Sequence, residues 1–222
     1  MTFDWGHLPR LFGGLLLTIE LSVACIAIGI VLGILLAMGR VYGGRFISIP
    51  CSIYIQCFRG TPLLVQLLMI YFGLPAWGIS LSRLTSGIIA LGLNTAAYQA
   101  EYLRGAIQAV PDGQMLAARS MGMSLLQAIR HIILPQAFRI VIPSWSNELI
   151  LMVQFTSIVF AIGLHDLMGV GKHIAARHFN FFEVFMVLAV FYLVLVFIIT
   201  QGLRLLERRV RVPGLGEHAE HR

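Results

Sequence analysis

The chain alternates between long, nearly uncharged apolar runs and short segments that carry most of its arginines. A helix crosses a hydrocarbon core about 30 Å thick with roughly 20 apolar residues. Five runs approach or exceed that length: 21–39, which begins near Leu11 and includes Glu20; 46–82, interrupted only by Arg59; 84–100; 140–164, which contains Glu148; and 184–203. Because no water satisfies backbone groups at that depth, all five runs are predicted to be helical.

The segment between the third and fourth runs has a different pattern. Residues 111–131 mix alanine, methionine, leucine and glutamine with charged side chains. Pro111 cannot continue the preceding helix, and Asp112 can cap a new one by accepting a freed N–H. We predict a short helix that lies parallel to the membrane and ends near Gly122, followed by a second break at residues 134–135.

The composition supports the interpretation that the chain is a membrane protein. The 222 residues are 58% hydrophobic and 12% charged, with mean hydropathy +0.86, whereas soluble domains are about 25% charged. The net charge of +6 arises from arginines near the ends of apolar runs, which indicates a cytoplasmic membrane face rather than a nucleic-acid partner. Three cysteines in apolar stretches, at spacings typical of no metal site, predict no disulfide framework. No small-residue cleavage site follows the first run, so we expect that span to remain in the mature chain.

The arginines also predict the orientation of the chain. With five spans, three regions share one side and carry ten cations, which are Arg40, Arg45, Arg104, Arg119, Arg130, Arg139, Arg204, Arg208, Arg209 and Arg211. The opposite side carries four cations, which are Arg10, Arg83, Lys172 and Arg177. We therefore expect the N-terminus outside, the C-terminus in the cytoplasm, and one transmembrane domain over residues 1–222.

The usual catalytic motifs are missing from the sequence. Gly171-Lys172 is followed by His173 and lacks the upstream glycine of a phosphate-binding loop. Neither the G-x-S-x-G motif nor the H-E-x-x-H motif occurs. The seven histidines lie outside the middles of the apolar runs, which argues against a haem within the bundle. We expect no catalytic residue, metal or cofactor in this chain.

Polar residues inside apolar runs are costly and are therefore the functional candidates. Arg59 lies in the stretch Phe58-Arg59-Gly60-Thr61-Pro62, where glycine and proline loosen a helix and the Thr61 hydroxyl can satisfy a freed carbonyl. If the helix is loosened at this point, we expect Arg59 to line a cavity. Alternatively, it extends to an interface or pairs with a fixed acid.

Two further polar sets lie in the third and fourth runs. Asn94, Tyr98, Glu101 and Arg104 share one helix face, where Glu101 and Arg104 can pair or contact a solute.

In the fourth run, Asn147 and Glu148 could line a cavity, with Thr156 and Ser157 at a second level and Gln154 between them. A carboxylate there would attract an ammonium or guanidinium group. The alternative role for these polar residues is hydrogen bonding between helices.

Four ordered motifs give the sequence a family resemblance. Residues 113–123, GQMLAARSMGM, with IILPQA at 132–137, resemble the conserved cytoplasmic loop of ABC importer permeases, in the spacing of the polar amino acid branch that carries histidine, glutamine and arginine. FRGTPLLVQ at 58–66, Asn94 with YQAE at 98–101 and RGAI at 104–107, and NELI at 147–150 with Thr156-Ser157 also match that branch. The resemblance covers nearly the whole chain.

The resemblance implies an all-α polytopic membrane protein, similar to type I ABC importers, with five transmembrane helices and a cytoplasmic coupling helix. It implies a permease subunit of the bacterial inner membrane that imports a polar or basic amino acid, or an opine-like derivative. The implied partners are a solute-binding protein, a second permease, membrane lipid, and ATPase subunits that hold ATP–Mg. The implied coupling residues within segment 111–131 are Gly113, Leu116, Ala117, Ala118, Met121, Gly122 and Met123. Our candidate solute-binding residues are Asn147, Glu148, Thr156 and Ser157, with Arg59 and Glu101 as outer candidates.

The sequence departs from the family pattern at two positions. Leu116 replaces the glutamate of the coupling helix, and Gln154 replaces a common lysine. These departures favour a heterodimer, in which a second permease carries the usual residues, over a homodimer. Without the resemblance, a helix that lies on lipid headgroups is the less favoured alternative for segment 111–131. A membrane scaffold or channel-like subunit without an ATPase is the alternative function. A secondary transporter would normally contain an internal repeat over more spans, and the sequence has none.

Overall fold

The computed structural model describes residues 4–210, which form a helical bundle without a β-strand in that range. The helices are α1 (Leu8–Tyr42), α2 (Arg45–Gly60), α3 (Leu63–Leu68), α4 (Arg83–Ala109), α5 (Asp112–Ser120), α6 (Leu125–Ala128), α7 (Leu134–Phe155), α8 (Leu167–His178) and α9 (Phe181–Val210). Tighter or wider helical turns extend several of them, at Trp5–His7, Met69–Gly73, Leu74–Trp77, Ile129–Ile133 and Thr156–Ile162. Arg211 and the tail after it, which entered the orientation argument, lie outside the described residues.

All five apolar runs are helical, as predicted. Three helical stretches within residues 4–210 are long and apolar enough to cross a membrane, namely Trp5–Tyr42, Leu125–Ile162 and Phe181–Arg208. A fourth exists if the bent pair Arg45–Gly60 and Leu63–Trp77 forms one span. The remaining run belongs to α4, whose 27 residues are long enough but include buried polar side chains that lower its hydropathy. Five spans therefore remain a prediction.

The second run is not one continuous helix, and its break lies at the Gly60-Thr61-Pro62 stretch where the sequence predicts a loosened helix. It bends by 104° between α2 and the helical stretch that starts with α3. Pro62 disfavours helical geometry at the residue before it, and Thr61 accordingly has an extended backbone with φ −115° and ψ 144°. The Thr61 hydroxyl donates to the Cys57 carbonyl at 2.8 Å, which confirms its predicted role.

Two predictions about the 111–135 segment need correction. The chain does not break at Pro135, because the helix runs on from α6 into α7 through the wide turn Ile129–Ile133. A wide helical turn just before a proline leaves room for the pyrrolidine ring, and it does not require a backbone N–H from the proline. Asp112 is the first residue of α5 rather than its cap, and its side chain makes no capping bond. The predicted end is confirmed, because α5 stops at Ser120 and Gly122 has φ +84°.

Helix α4 forms the centre of the bundle, with α1 on one side and α7 on another. Small residues allow α1 and α4 to approach closely: a Cβ atom added to Gly33 would lie 2.8 Å from the Gln99 Cβ and 3.1 Å from the Ala100 nitrogen. Buried leucines and alanines of α4, including Leu91 and Leu103, fill the space between the helices. This packing fixes the side chains of α4 that face α2 and α7.

Helix α8 was not predicted from the sequence. Asp166 caps it by accepting from the backbone nitrogens of Met168 and Gly169, at 3.3 and 3.0 Å. Buried Leu167 and Ile174 hold α8 against the start of α1 and the start of α9. The connection between the fourth and fifth runs is therefore an ordered helix rather than a loop.

Candidate functional site

Glu101 of α4 is surrounded by three arginines from three helices. Its carboxylate lies 2.9 Å from Arg104 Nη2 and 3.6 Å from Arg59 Nη1, and it also pairs with Arg40. The predicted pair between Glu101 and Arg104 is therefore present. One carboxylate among three guanidinium groups leaves two positive charges in excess within this cluster.

Arg59 is the most accessible cation of that cluster. It is the second-last residue of α2, its side chain is 44% exposed, and its guanidinium lies 5.3 Å from the centre of the Tyr98 ring. Arg59 thus pairs with an acid and an aromatic face while remaining open to a solute.

Asn94 holds the bend beside Arg59 and does not face a cavity. Its side-chain nitrogen donates to the Phe58 carbonyl at 3.1 Å and to Gln66 Oε1 at 3.0 Å. Gln66 Nε2 donates to the same Phe58 carbonyl at 2.8 Å and to the Thr61 carbonyl at 3.0 Å. These two amides satisfy the backbone groups that the bend leaves free, and they fix the direction of the α2 terminus. Sequence reasoning assigned no role to Gln66.

Glu148 is buried between α7 and α4. Only 3% of the residue is exposed, and its two carboxylate oxygens accept from Thr95 Oγ1 at 2.8 Å and Tyr102 Oη at 3.2 Å. Both donors belong to α4 and were not predicted. They lie seven residues apart on one helix face, which is the one sequence signal that could have selected them.

The other candidates of α7 are placed differently from Glu148. Asn147 and Gln154 are exposed and seven residues apart, so they share the open face of that helix. Thr156 is fully buried and donates to the Val153 carbonyl of its own helix at 2.8 Å, while Ser157 is half-buried. The residues predicted to form one site therefore divide between an open face and a buried face.

Helix α4 brings the acidic and cationic groups close together. Thr95 and Tyr102 contact Glu148, while Tyr98 and Glu101 contact Arg59, and these four α4 residues recur at helical spacing. The rise from residue 95 to residue 101 is about 9 Å. A carboxylate and a guanidinium group thus flank the same stretch of α4, which suits a ligand that carries both charges.

The segment between α4 and α7 presents an apolar surface. Leu116 is 71% exposed and Met121 is 81% exposed, and Gly113, Ala117 and Gly122 are exposed as well. Ala118, in contrast, is 4% exposed, and Met123 is half-buried, so these two of the seven predicted coupling residues face their own chain.

Local hydrogen bonds hold that surface in shape. Arg119 Nη1 donates to the Met123 carbonyl at 2.8 Å across the turn after α5. Ser124 and Gln127 cap the start of α6 reciprocally, each side chain bonding the other residue's backbone nitrogen. These bonds fix the turn after α5 and the start of α6.

Residues 29–212 match the family model described as the binding-protein-dependent transport system inner membrane component. The chain belongs to this family. As a member, it is the membrane component of a transport system, which agrees with its apolar helices. The match includes α4, α7 and the whole segment that contains α5.

Curated relatives of this permease family are similar over most of their length. The octopine transport system permease protein of Rhizobium radiobacter is 38% identical over 214 residues, which cover 92% of this chain and 87% of the relative. The glutamine transport system permease protein of Escherichia coli K12 is 34% identical, with 96% of this chain and all of the relative covered. The histidine/lysine/arginine/ornithine permease protein of that strain is 38% identical, with 89% and 87% covered.

Solved structures agree with the fold. An amino acid ABC transporter crystallised with histidines has a TM-score of 0.88 and 38% identity, with 94% of this chain and all of that chain covered. An inward-facing methionine ABC transporter has a TM-score of 0.81 at 23% identity, with 95% of this chain and all of that chain covered, and it supports the fold alone. The helical architecture of this permease family member is thus that of an ABC importer permease.

Proposed function

We propose that this chain is the permease subunit of an ATP-driven importer that moves a polar or basic amino acid, or an opine-like derivative. The solutes in the names of its relatives, octopine, glutamine and the basic amino acids, combine a carboxylate with an amino group. The observation that carries the proposal is the placement of Arg59 and Glu148 on either side of one stretch of α4. A zwitterionic solute needs a partner of each sign.

Arg59 is the proposed partner of the solute carboxylate. At 3.6 Å, its contact with Glu101 is longer than that of Arg104, and Glu101 keeps two other arginines if Arg59 turns away. The guanidinium group can therefore exchange a shared acid for a solute carboxylate without stranding Glu101. Glu101 is then a positioning residue for the outer part of the site.

Glu148 is the proposed partner of the solute ammonium group. Each of its oxygens has accepted one hydrogen bond, so the carboxylate retains acceptor capacity, but a 3% exposed residue needs α4 and α7 to part before a solute can reach it. Asn147, on the open face, is the neutral contact that is accessible without that movement. Ser157 and Thr156 complete the proposed second level of the site.

The test is Glu148→Gln in the assembled transporter reconstituted in proteoliposomes. Loss of the charge should raise the apparent KM for uptake of a zwitterionic amino acid by about tenfold or more, which is about 1.4 kcal/mol. Glu183→Gln removes a carboxylate from the first turn of α9 and should leave the KM unchanged.

Tyr102→Phe and Thr95→Val separate recognition from anchoring. They remove the hydrogen bonds to Glu148 but keep its charge. If these two variants reproduce the KM of Glu148→Gln, Glu148 acts as an anchor between α4 and α7. Unchanged uptake and apparent affinity in Glu148→Gln would refute the site assignment outright.

We also propose that α5 and its following turn dock on a separate ATPase subunit, which holds the ATP–Mg, so that this chain itself needs no cofactor. Exposed Leu116 and Met121 supply adaptable apolar contact there. Gly122→Val forces a branched side chain into φ +84° and should reduce the amount of ATPase that copurifies. Gly105→Val, in open space on α4, is the matched control. Full ATPase recovery with Gly122→Val would contradict this docking site.

The proposed second permease covers the outward face of α1. Glu20 lies on that face with Leu16 and Val23, and it makes no hydrogen bond or ion pair with any described residue. A carboxylate exposed to lipid is costly, and a neighbouring chain with a donor removes that cost.

We favour a heterodimer because Leu116 and Gln154 depart from the family pattern. Coexpression of two differently tagged copies of this chain with the remaining subunits tests it. Recovery of both tags in one transporter would overturn the heterodimer.

The proposed orientation places the N-terminus outside and the C-terminus in the cytoplasm. A cysteine placed at exposed Phe179, between α8 and α9, should react with a membrane-impermeant thiol reagent in intact cells. Inverted vesicles are the negative control. Labelling in the inverted vesicles alone would reverse the orientation.

A further inference from the structure

A second feature lies at the opposite end of the bundle from α5. Met115 of α5 packs against the same apolar cluster as Ala37 and Tyr42, near the C-terminal end of α1. At the other end, the start of α1 and helix α8 line a cavity of about 460 Å³ that is open on one side. The 35 residues of α1 separate the two ends by about 50 Å, so the cavity is distinct from the proposed coupling surface.

The cavity is cationic. Arg10 at the start of α1 and Arg177 at the end of α8 both line it, together with the imidazoles of His165 and His173. Among residues 4–210, neither arginine pairs with an acid. Asp166, which adjoins His165, directs its carboxylate to the backbone nitrogens that start α8, and Asp4, six residues before Arg10, accepts from the Gly6 nitrogen at 2.9 Å.

Two guanidinium groups without counter-charges therefore face one space of molecular size. Planar guanidinium groups bind phosphate and carboxylate oxygens through paired N–H donors. The chemistry of the cavity selects an anion.

Glycines shape the floor of the cavity. A Cβ atom on Gly13 would meet no atom within 4 Å, so the cavity continues to that point of α1. A Cβ atom on Gly14 would lie 2.9 Å from the Asp166 carbonyl oxygen, which shows that α8 closes tightly against α1 just behind it. The space is thus bounded on one side and open on the other.

The lining also contains the apolar side chains of Val170 and Ile174, and exposed apolar side chains lie at the same end of the bundle. Phe12 and Leu16 of α1 are each 58% exposed, and the Phe12 ring contacts Phe191 of α9 edge-on at 5.5 Å. Phe179 and Phe182, which follow α8, are 83% and 76% exposed. Cations beside exposed aromatic and aliphatic side chains are typical of the level at which a helix enters the headgroup region.

We propose that this cavity binds the phosphate of an anionic phospholipid, with Arg10 and Arg177 on the headgroup and half-buried Val170 of the lining against its apolar part. Basic pockets between membrane helices suit such headgroups. Free phosphate offers the same oxygens to the arginines but gains nothing from the apolar lining. The inference requires the chain to be inserted in a membrane and is independent of the solute it carries.

The test measures the thermal midpoint of the complete transporter in detergent during titration with phosphatidylglycerol, with phosphatidylcholine and with inorganic phosphate. Phosphatidylglycerol should stabilise the protein at the lowest concentration. The double variant Arg10→Gln/Arg177→Gln should need about thirtyfold more of it, because each arginine near the surface contributes about fivefold. Gly13→Leu should also weaken the effect by filling the cavity without a change of charge. Lys172→Gln is the matched control, because it removes a cation of the same helix that lies over the Phe160 ring.

Several results would overturn the inference. Equal stabilisation by phosphatidylcholine, an unaltered response of the double variant, or an equal loss in Lys172→Gln would each exclude a specific headgroup site. Full protection by inorganic phosphate, in competition with the lipid, would identify a free-anion site instead. If the variants bind lipid normally but lose stimulation by the solute-binding protein, the occupant is an acidic side chain of that protein.

Discussion

The contact between α1 and α4 makes a quantitative prediction at Gly33. Its added Cβ would lie 2.8 Å from the Gln99 Cβ, 3.1 Å from the Ala100 nitrogen and 3.2 Å from the Ala96 oxygen. Two of these three atoms belong to the α4 backbone and cannot rotate away, so α1 must move outwards. Overpacking of this kind costs about 1–3 kcal/mol, and the helix preference of alanine over glycine returns about 0.5–1 kcal/mol. Gly33→Ala should therefore destabilise the protein by up to about 2.5 kcal/mol.

A thermal melt in detergent can measure this difference. For a chain of this length, each kcal/mol shifts the midpoint by about 2–4 °C, so Gly33→Ala should lower it by up to about 10 °C. Gly105→Ala is the control on the facing helix, because its Cβ would meet nothing within 4 Å and should leave the midpoint unchanged or slightly raised. Equal midpoints for the two variants would refute the close approach of α1 and α4. Arg40, two turns beyond Gly33, would also shift relative to Glu101, so the uptake rate should fall with the midpoint.

Three further predictions concern single side chains. Burial raises the pKa of Asp166, which lies after the fourth span, to about 6, above the unfolded value. Protonation therefore stabilises the fold below about pH 4, and stability should fall by up to about 3 kcal/mol as the pH rises through 6. Asp166→Asn should flatten this slope in melts between pH 4.5 and 7.5, and an unchanged slope would assign it to another group. Gln66→Leu leaves the Thr61 carbonyl without its side-chain donor, although Asn94 still donates to the Phe58 carbonyl. The free energy of unfolding should therefore fall by about 1–3 kcal/mol. An unaltered melt would contradict the role of Gln66 in the bend. Met121→Glu, at an 81% exposed position, should leave the melt unchanged but reduce ATPase copurification, and retained copurification would show that the apolar side chain is dispensable.

Regular features of the fold could be predicted from the sequence, because they depend on local chemistry. The helical runs follow from the absence of charges, and the turn at Gly122 follows from glycine after a short amphipathic stretch. Helix α8 was missed because a search for spans of about 20 residues passes over a 12-residue helix with charged positions. Its buried Leu167, Ile174 and Ala175 do recur at helical spacing, so a search for shorter amphipathic patterns would have found it.

The site was only partly predictable, for a different reason. Glu101 and Arg104 lie three residues apart on one helix, so their pairing follows from helical geometry alone. Thr95 and Tyr102 became visible only when α7 placed Glu148 against α4. The division between exposed Asn147 and buried Glu148, which adjoin in sequence, likewise depends on which neighbour faces each side of α7. Sequence periodicity gives the face of a helix, and packing decides what covers that face.

The pattern of exposure favours a solute path between two chains rather than through one. Two inward-pointing polar side chains of α4 are engaged within this chain, since Asn94 holds the α2 bend and Thr95 bonds Glu148, whereas buried Ser86 and Gln99 have no hydrogen-bond partner among the described residues. Arg59, Asn147 and Gln154 remain exposed and face away from the bundle interior. In a membrane such groups need either water or a polar neighbour. A facing permease would enclose Arg59 and Asn147 in one polar cavity. Separation of α4 from α7 would then add the Glu148 carboxylate to the wall of that cavity.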